Sequence, residues 1–145
     1  MRYLKLYEEF TNLGTHKRTS KLTGVRDKIA NAYFQLDQIE SKEGVIIGEI
    51  EGVKVRVINR DLVRGDHPEW DIYLGSHHWG KKTDYIPEEE IWIVQNPEFD
   101  LARVKKLLDH EIIERQMMRA LQDDRNMDPQ TSWEEAHYYL KQMGF

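Results

Sequence analysis

The sequence has no cysteine among its 145 residues and no apolar run of the length that crosses a membrane. Without cysteine, disulfides and thiolate metal sites are excluded, so any metal ion must be bound by histidine, aspartate or glutamate. The absence of disulfides fits a reducing compartment, and no signal-peptide pattern of basic start, apolar core and small-residue site appears. We therefore expect a cytoplasmic protein with no membrane partner.

The sequence also lacks an excess of positive charge. It contains 21 lysines and arginines against 26 aspartates and glutamates, which gives a formal net charge of −5. General nucleic-acid binding needs a basic field, so no nucleic-acid partner is expected. One basic cluster, at residues 16–21, is better explained as a solvated tail. No feature of the sequence predicts an oligomeric state.

A chain of this length predicts one domain with one modest core, and it contains neither internal repeats nor a low-complexity tract. Residues 1–24 begin with a short amphipathic piece and then become polar, which predicts a mobile or weakly docked N-terminal arm. Residues 25–145 are then expected to form the single domain.

The first part of that domain combines a helical pattern with two β-type runs. Apolar residues recur at helical spacing over residues 25–40, which predicts an amphipathic helix covering one side of a sheet. Residues 45–50 and 53–59 are rich in valine and isoleucine and are separated by Glu51 and Gly52, which predicts a β-hairpin.

Further along the chain, the sequence predicts two more strands and a long helix. Residues 70–74 fit a short strand, and residues 90–94 (EIWIV) fit a strand more strongly. Asn96 as cap and Pro97 at the first helical position predict the start of a helix, whose main part should run over residues 99–122. The fold class expected is therefore α+β.

The last segment predicts a C-terminal helix. Residues 123–130 form a polar linker, and the Ser132 to Glu135 stretch matches a capping box that opens a helix ending at Gly144. His137 lies on the apolar face of this helix and should point toward the core.

The long helix carries a His-Glu-x-x-Glu string made by His110, Glu111 and Glu114. His110 and Glu114 are four residues apart, so they stack on one helix face and could hold one metal ion. The neighbouring Glu111 could act as general base on a water, as in zinc hydrolases with a His-Glu-x-x-His string. His110 and Glu114 also fall in the apolar half of the helix, where a carboxylate is costly unless it is paired or bound to a metal.

An ordinary charged helix is the alternative explanation of this string. Glu111 and Glu114 would then form ion pairs with neighbouring basic residues on the same helix. The basic residues within reach are Lys105, Arg115 and Arg119.

A metal site needs a third ligand, and His137 is the candidate. Two histidines and one carboxylate leave a fourth position open for water, and zinc is the ion expected for such a set. Glu134 or Glu135 could orient His137 by accepting a hydrogen bond, and Arg115 is a further candidate supporting residue. The linker must then carry the last helix back, because His110 lies about 18 Å along its helix from the end. A histidine packed in the core is the alternative.

His77 and His78 form a rival site, in a turn bracketed by glycines. Adjacent histidines on an extended chain point to opposite sides, so at most one of them should bind a metal. Either one could replace His137 as third ligand or bind substrate. A polar turn beside a packed Trp79 is an equally good interpretation.

These blocks, taken in order, resemble a group of small, mostly uncharacterised zincin-like proteins of phages and bacteria. The resemblance covers residues 50–145 and includes a glycine-histidine turn, Tyr85-Ile86-Pro87, Glu90-Ile91-Trp92-Ile93, His110-Glu111-Ile112-Ile113-Glu114-Arg115, Met118 and Glu135-Ala136-His137. In addition, residues 1–10 resemble leader peptides that carry proteins into the heads of large tailed phages, which would make the location a host cytoplasm or a virion.

The resemblance implies a zincin-like domain with a small, mainly antiparallel sheet, a long metal-carrying helix and a C-terminal helix. It implies that the strand at residues 90–94 borders the cleft and that His137 matters. The departure from the better-known metallopeptidases is at Glu114, where their motif has histidine.

Three functions follow as hypotheses. The first is a zinc-dependent hydrolase of peptide or amide bonds, with a peptide or protein substrate, zinc on His110, Glu114 and His137, and Glu111 as general base. The second is a non-catalytic phage or bacterial accessory protein that keeps the fold for metal-stabilised partner binding. The third is a metal-free interaction module.

Overall fold

A computed structural model describes residues 20–144 and shows a small α+β domain with a four-stranded mixed sheet. Most of the predicted N-terminal arm therefore lies outside the described residues. In chain order the elements are helix α1 (Ser20–Tyr33), strands β1 (Val45–Ile50) and β2 (Val53–Ile58), short helix α2 (Arg60–Val63), a 3-10 turn (Pro68–Asp71), strands β3 (Gly75–His77) and β4 (Glu90–Val94), helix α3 (Leu101–Arg119), a π-helical turn (Ala120–Asp124) and helix α4 (Pro129–Gln142).

The hairpin predicted around Glu51 and Gly52 is confirmed. These two residues have φ of 52° and 80°, the left-handed pair that a tight turn between right-twisted strands requires. β2 alternates as predicted, with Val53, Val55 and Val57 buried against the core. The hairpin thus forms one side of the sheet, whose strand order is β1-β2-β4-β3.

The predicted strand over residues 90–94 is also confirmed, but the one at 70–74 is wrong. Residues 68–71 form a 3-10 turn, and the short strand β3 comes after it at residues 75–77. Trp70 explains the difference: its ring is fully buried and its Nε1 donates a hydrogen bond to Tyr85 Oη at 2.6 Å. This anchoring in an aromatic cluster favours a compact turn over an extended strand.

β4 pairs in parallel with β2 and antiparallel with β3, so β3 is an edge strand. The pairings are mainly antiparallel, as predicted, although the parallel pair makes the sheet mixed. The strand that borders the cleft is β3, not β4 as the resemblance implied. β4 is buried between its two neighbours.

Helix α1 starts earlier and ends earlier than its apolar spacing predicts. It begins at Ser20, within the segment predicted as an arm, and ends at Tyr33 instead of near residue 40. The Tyr33 hydroxyl donates to Val94 O at 2.9 Å and accepts from Asn96 N at 2.7 Å. These bonds fix the chain beside the end of β4, and the following residues continue as an irregular connection.

The caps of the last two helices also differ from the prediction. Asp100, not Asn96, caps α3 and accepts a hydrogen bond from Arg103 N at 2.7 Å. Asp128 caps α4, so the helix begins at Pro129 and Ser132 lies inside it. In both cases the aspartate directly before the first helical residue takes the role, because its carboxylate reaches the free backbone N–H groups.

Helix α3 is the element that positions the site. One part of it packs with α1 and the sheet, and its later turns pack with α4 around Met117, Met118 and Ala136. The metal-motif residues lie between these two contacts. No helix within residues 20–144 is both long enough and apolar enough to cross a membrane.

Candidate metal centre

The carboxylate of Glu114 lies among three histidine side chains. Its Oε2 is 2.9 Å from His110 Nε2 and 3.0 Å from His137 Nε2. Its Oε1 is 2.8 Å from His77 Nε2. The structure therefore brings the three predicted ligands together and adds His77, one of the two rival histidines. The metal-binding role of these residues stays a prediction.

The connection after α3 makes this convergence possible. A π-helical turn follows α3 directly, and Asn126 adopts a left-handed conformation with φ of 56°. Gln122 Nε2 donates to Trp79 O and to Ser132 Oγ, both at 2.8 Å. These contacts hold the start of α4 close to the end of α3, so that His137 lies beside His110, with ring centroids 5.6 Å apart.

The two adjacent histidines face opposite sides of the chain, as an extended backbone requires. His77 ends β3 and is fully buried against Glu114. His78 faces away, with its Nδ1 2.9 Å from Ile86 O and its Nε2 3.8 Å from the Glu88 carboxylate. Only His77 therefore reaches the centre, and no contact of His78 with the centre occurs within the described residues.

Glu111 is buried beside the same cluster and lacks full hydrogen bonding. Its Oε2 lies 4.0 Å from His110 Nε2, and its Oε1 has no hydrogen-bond partner among residues 22–144. Burial and the nearby charge of Glu114 raise the pKa of Glu111 well above its ordinary value. An unpaired buried carboxyl group of this kind is costly to stability, and such groups are concentrated at functional sites.

Glu114 has the opposite electrostatic environment. Burial by itself raises its pKa, but hydrogen bonds from His110, His137 and His77 outweigh burial and hold the pKa well below the ordinary value. Glu114 is thus the ionised member of the pair and Glu111 the one that favours its proton. Two neighbouring carboxyl groups with opposite pKa shifts are typical of acid–base sites.

Three residues predicted to support the ligands lie elsewhere. His137 Nδ1 is 3.0 Å from Trp133 O, so this backbone carbonyl takes the place predicted for Glu134 or Glu135. Glu134 accepts instead from Gln130 Nε2 at 2.9 Å on the exposed side of α4. Arg115 donates from two nitrogens to Glu88 O, at 3.0 and 2.6 Å, and so anchors the segment before β4. The carbonyl is closer because it lies one helical turn before His137 on α4.

A cleft of about 420 Å³ opens onto the centre. The His110 and His137 side chains are 26% and 29% exposed, while that of Glu114 is 8% exposed, so the two histidines face the cleft and the carboxylate lies behind them. The cleft lining consists of Ile72, Tyr73, Leu74, Gly75, Ser76, Gly80, Lys81, Arg103, Lys106, Leu107, His110, Glu111, Glu114, Trp133 and His137.

The donor set fits a divalent metal ion. Ligand atoms of His110, Glu114 and His137 all lie within 4.8 Å of one another, and two imidazoles with one carboxylate suit zinc. A second group, His77 with Glu111 and Glu114, meets the same distance limit but lies deeper. The unpartnered oxygen of Glu111 supports the fit, because a cation nearby would offset the cost of its charge.

Gly75 is a site residue that no motif in the sequence singles out. A Cβ at this position would lie 2.9 Å from Glu111 Cγ and 3.0 Å from Glu111 Cδ, closer than side chains pack. Glycine therefore leaves the space that the Glu111 side chain occupies beside β3. In the sequence, Gly75 is visible only as the glycine at the start of the histidine turn. Its role can be recognised only when β3 is known to face α3.

We therefore expect Gly75→Ala to displace the Glu111 side chain. Glu111 lies against the sheet edge with little room to move. Under the hydrolase hypothesis drawn from the sequence, activity should therefore fall by about 10-fold or more while zinc binding changes little. Gly65→Ala is the matched control, because a Cβ there meets no atom within 4 Å. Unchanged activity in Gly75→Ala would show that the position of Glu111 does not matter.

Comparisons with protein-family models, with curated proteins and with solved structures find no match for this chain. The zincin-like resemblance accordingly stays a prediction. Function has to come from the chemistry of the site itself.

Proposed function

We propose that this protein is a zinc-dependent hydrolase of peptide or amide bonds in a zincin-like domain. The observation that carries the proposal is that His110 and His137 both lie within 3.0 Å of the Glu114 carboxylate, at the floor of an open cleft. The buried Glu111, one oxygen of which has no hydrogen-bond partner in the described part of the chain, adjoins the same floor. A purely structural ion pair would not need this second carboxyl group.

Each residue has a role in this proposal. His110, Glu114 and His137 would hold a zinc ion, which would supply Lewis acidity to polarise a carbonyl and to lower the pKa of water. Glu111, whose pKa is raised by burial and by the charge of Glu114, would act as general base and would take the proton from the attacking water and pass it to the leaving amine. His77 holds Glu114 in place by donating to its Oε1.

One observation favours a second candidate, a non-catalytic accessory protein in which the cluster stabilises the fold. The carboxylate of Glu114 already has three histidine partners at 2.8 to 3.0 Å within the protein itself. Such a network connects β3, α3 and α4 and could serve as a structural link, with or without an ion.

Metal analysis combined with an activity assay tests the proposal. We expect the purified full-length protein to bind about one zinc ion per chain and to cleave a fluorogenic peptide library. Chelation should abolish cleavage and lower Tm by about 10 °C, and added zinc should restore both. A protein that binds zinc and gains stability but cleaves nothing would favour the accessory role, whereas the absence of any metal affinity would contradict the hydrolase.

A further inference from the structure

We propose that the cleft binds extended peptides that carry acidic side chains beside the bond at the metal centre. Three basic residues, Lys81, Arg103 and Lys106, line the cleft together with the metal-motif residues. This inference rests on the proposed function for the position of the bond and for the ion that balances the charges of Glu111 and Glu114. Its own evidence is the set of basic residues in the cleft, which are not part of the histidine cluster.

The charge balance of the cleft is positive although the chain as a whole is negative. Among the described residues, Glu111 and Glu114 are the only acidic ones in the lining, and a divalent ion would balance both of them. The charge that remains comes from Lys81, Arg103 and Lys106, in a chain of net charge −5. A cleft lined by one sign of charge attracts ligands of the opposite sign.

These three cations are available to a ligand. Among residues 22–144, none of the three forms an ion pair with a carboxylate. Lys105, adjacent to Lys106 but outside the cleft, instead lies 3.6 Å from the Asp27 carboxylate. The basic groups that face the cleft thus have no acidic partner among the described residues.

The spacing of the basic residues along α3 predicts which positions of a bound peptide should be acidic. Arg103, Lys106 and His110 lie on one face of α3, and the two basic residues precede His110 by about 10 and 6 Å along the helix axis. An extended peptide advances about 3.3 Å per residue, so an acidic residue two or three positions from the bond would meet them.

Lys81 provides a further positive charge, beside the residues that adjoin His137. Its Nζ lies 3.9 Å from the centre of the Trp133 ring, and that ring lies 4.0 Å from the His137 ring. The stacking holds the ammonium group close to the metal centre. A second acidic residue, near the bond itself, would therefore be favoured.

The cleft fits a peptide better than a nucleic acid. Exposed apolar surface from Ile72, which is 78% exposed, lies on the same cleft beside Tyr73 and Leu107. A peptide with both acidic and apolar side chains matches this mixture of basic and apolar lining residues. A nucleic acid would find only a few cations in the cleft and would be repelled by the net negative charge of the protein.

Binding of a matched peptide pair tests the inference. The peptides are acetyl-EEFLEE-amide and acetyl-QQFLQQ-amide, titrated calorimetrically into the zinc-saturated full-length Glu111→Gln protein so that neither is cleaved. We expect the glutamate peptide to bind about 10-fold more tightly at low salt, with the preference decreasing as salt rises.

Two pairs of neighbouring lysines provide the controls. Lys106→Gln and Lys81→Gln should each weaken binding of the glutamate peptide by about two- to five-fold, whereas Lys105→Gln and Lys82→Gln should have almost no effect. Equal binding of the two peptides, or equal effects of all four variants, would overturn the inference. So would displacement of the glutamate peptide by an equal charge of oligothymidylate.

The experiments can distinguish a failure of this inference from a failure of the proposed function. Lysine-dependent binding of the glutamate peptide in a protein that never cleaves peptides would support this inference and contradict the hydrolase. Zinc-dependent cleavage with no preference between the two peptides would support the hydrolase and contradict this inference.

Discussion

Glu114→Gln is expected to weaken zinc binding by more than about 100-fold and to abolish hydrolysis. Loss of a residue that merely supports a ligand already costs about 10- to 100-fold in metal affinity, and Glu114 is the negative member of the set itself. The substitution keeps the shape but removes the charge to which three histidines are bonded. Zinc affinity measured by competition with a chromogenic chelator checks this result.

The stability of the metal-free protein should change with pH in a characteristic way. Because the folded-state pKa of Glu114 is held low, its contribution to the free energy of unfolding is present above the unfolded carboxyl pKa of about 4.3. It is lost as pH falls through the folded-state pKa. The Glu114→Gln variant should lack this contribution, so its difference from the wild type should be largest above pH of about 4.3 and should shrink in acid.

Glu135→Gln is the matched control for this experiment. Glu135 lies on α4, two residues before His137, but among residues 22–144 no hydrogen bond or ion pair joins it to the cluster. Zinc affinity and the pH dependence of unfolding should therefore equal those of the wild type. An affinity lost equally in both variants would contradict the role of Glu114 and would favour the supporting role predicted for Glu135 from the sequence.

Glu111→Gln is expected to lower turnover by about 100- to 10,000-fold while zinc remains bound. Glutamine fills the same space beside Gly75 but cannot accept and pass on a proton. KM should change little, because the cleft lining keeps its shape. Zinc content by mass spectrometry and turnover of the best peptide from the library would be measured on the same preparation. Normal turnover would remove Glu111 from the mechanism.

The same substitution should stabilise the metal-free protein at neutral pH. The folded-state pKa of Glu111 is raised by burial and by the charge of Glu114, so folding favours its protonated form. Its stabilising state is thus fully present below about pH 4.3 and is lost as pH rises through the folded-state pKa. A neutral glutamine avoids that loss, and Tm near pH 7 should rise by about 3 °C or more.

This gain in Tm should disappear in acid, where Glu111 of the wild type is itself protonated. The measurement is the Tm of the wild type and of Glu111→Gln at pH 4 and at pH 7, with a chelator present. A Tm that falls in Glu111→Gln at neutral pH would show that the Glu111 charge contributes to stability. Stability gained at the expense of activity is common when a catalytic group is held in an unfavourable environment.

Local signals in the sequence were sufficient for several elements. The Glu51-Gly52 turn and the alternation of Val53, Val55 and Val57 predict the hairpin because both depend only on neighbouring residues. The stacking of His110 and Glu114 follows in the same way from the helical repeat. Elements whose bounds depend on distant packing were predicted less well, as Tyr33 at the end of α1 and Trp70 in the 3-10 turn show.

The sequence by itself determined that any metal site must use histidine and carboxylate, and that His110 and Glu114 share one helix face. Only the tertiary structure decided which distant histidines join them, because His77 and His137 come from β3 and α4 and meet α3 through sheet pairing and the turn after it. It also decided that Glu111 is buried with a free oxygen, a consequence of the space left by Gly75 across the interface between β3 and α3. Contacts between distant segments leave no pattern in the neighbouring residues, and for that reason the full set of residues at the centre could be identified only from the folded chain.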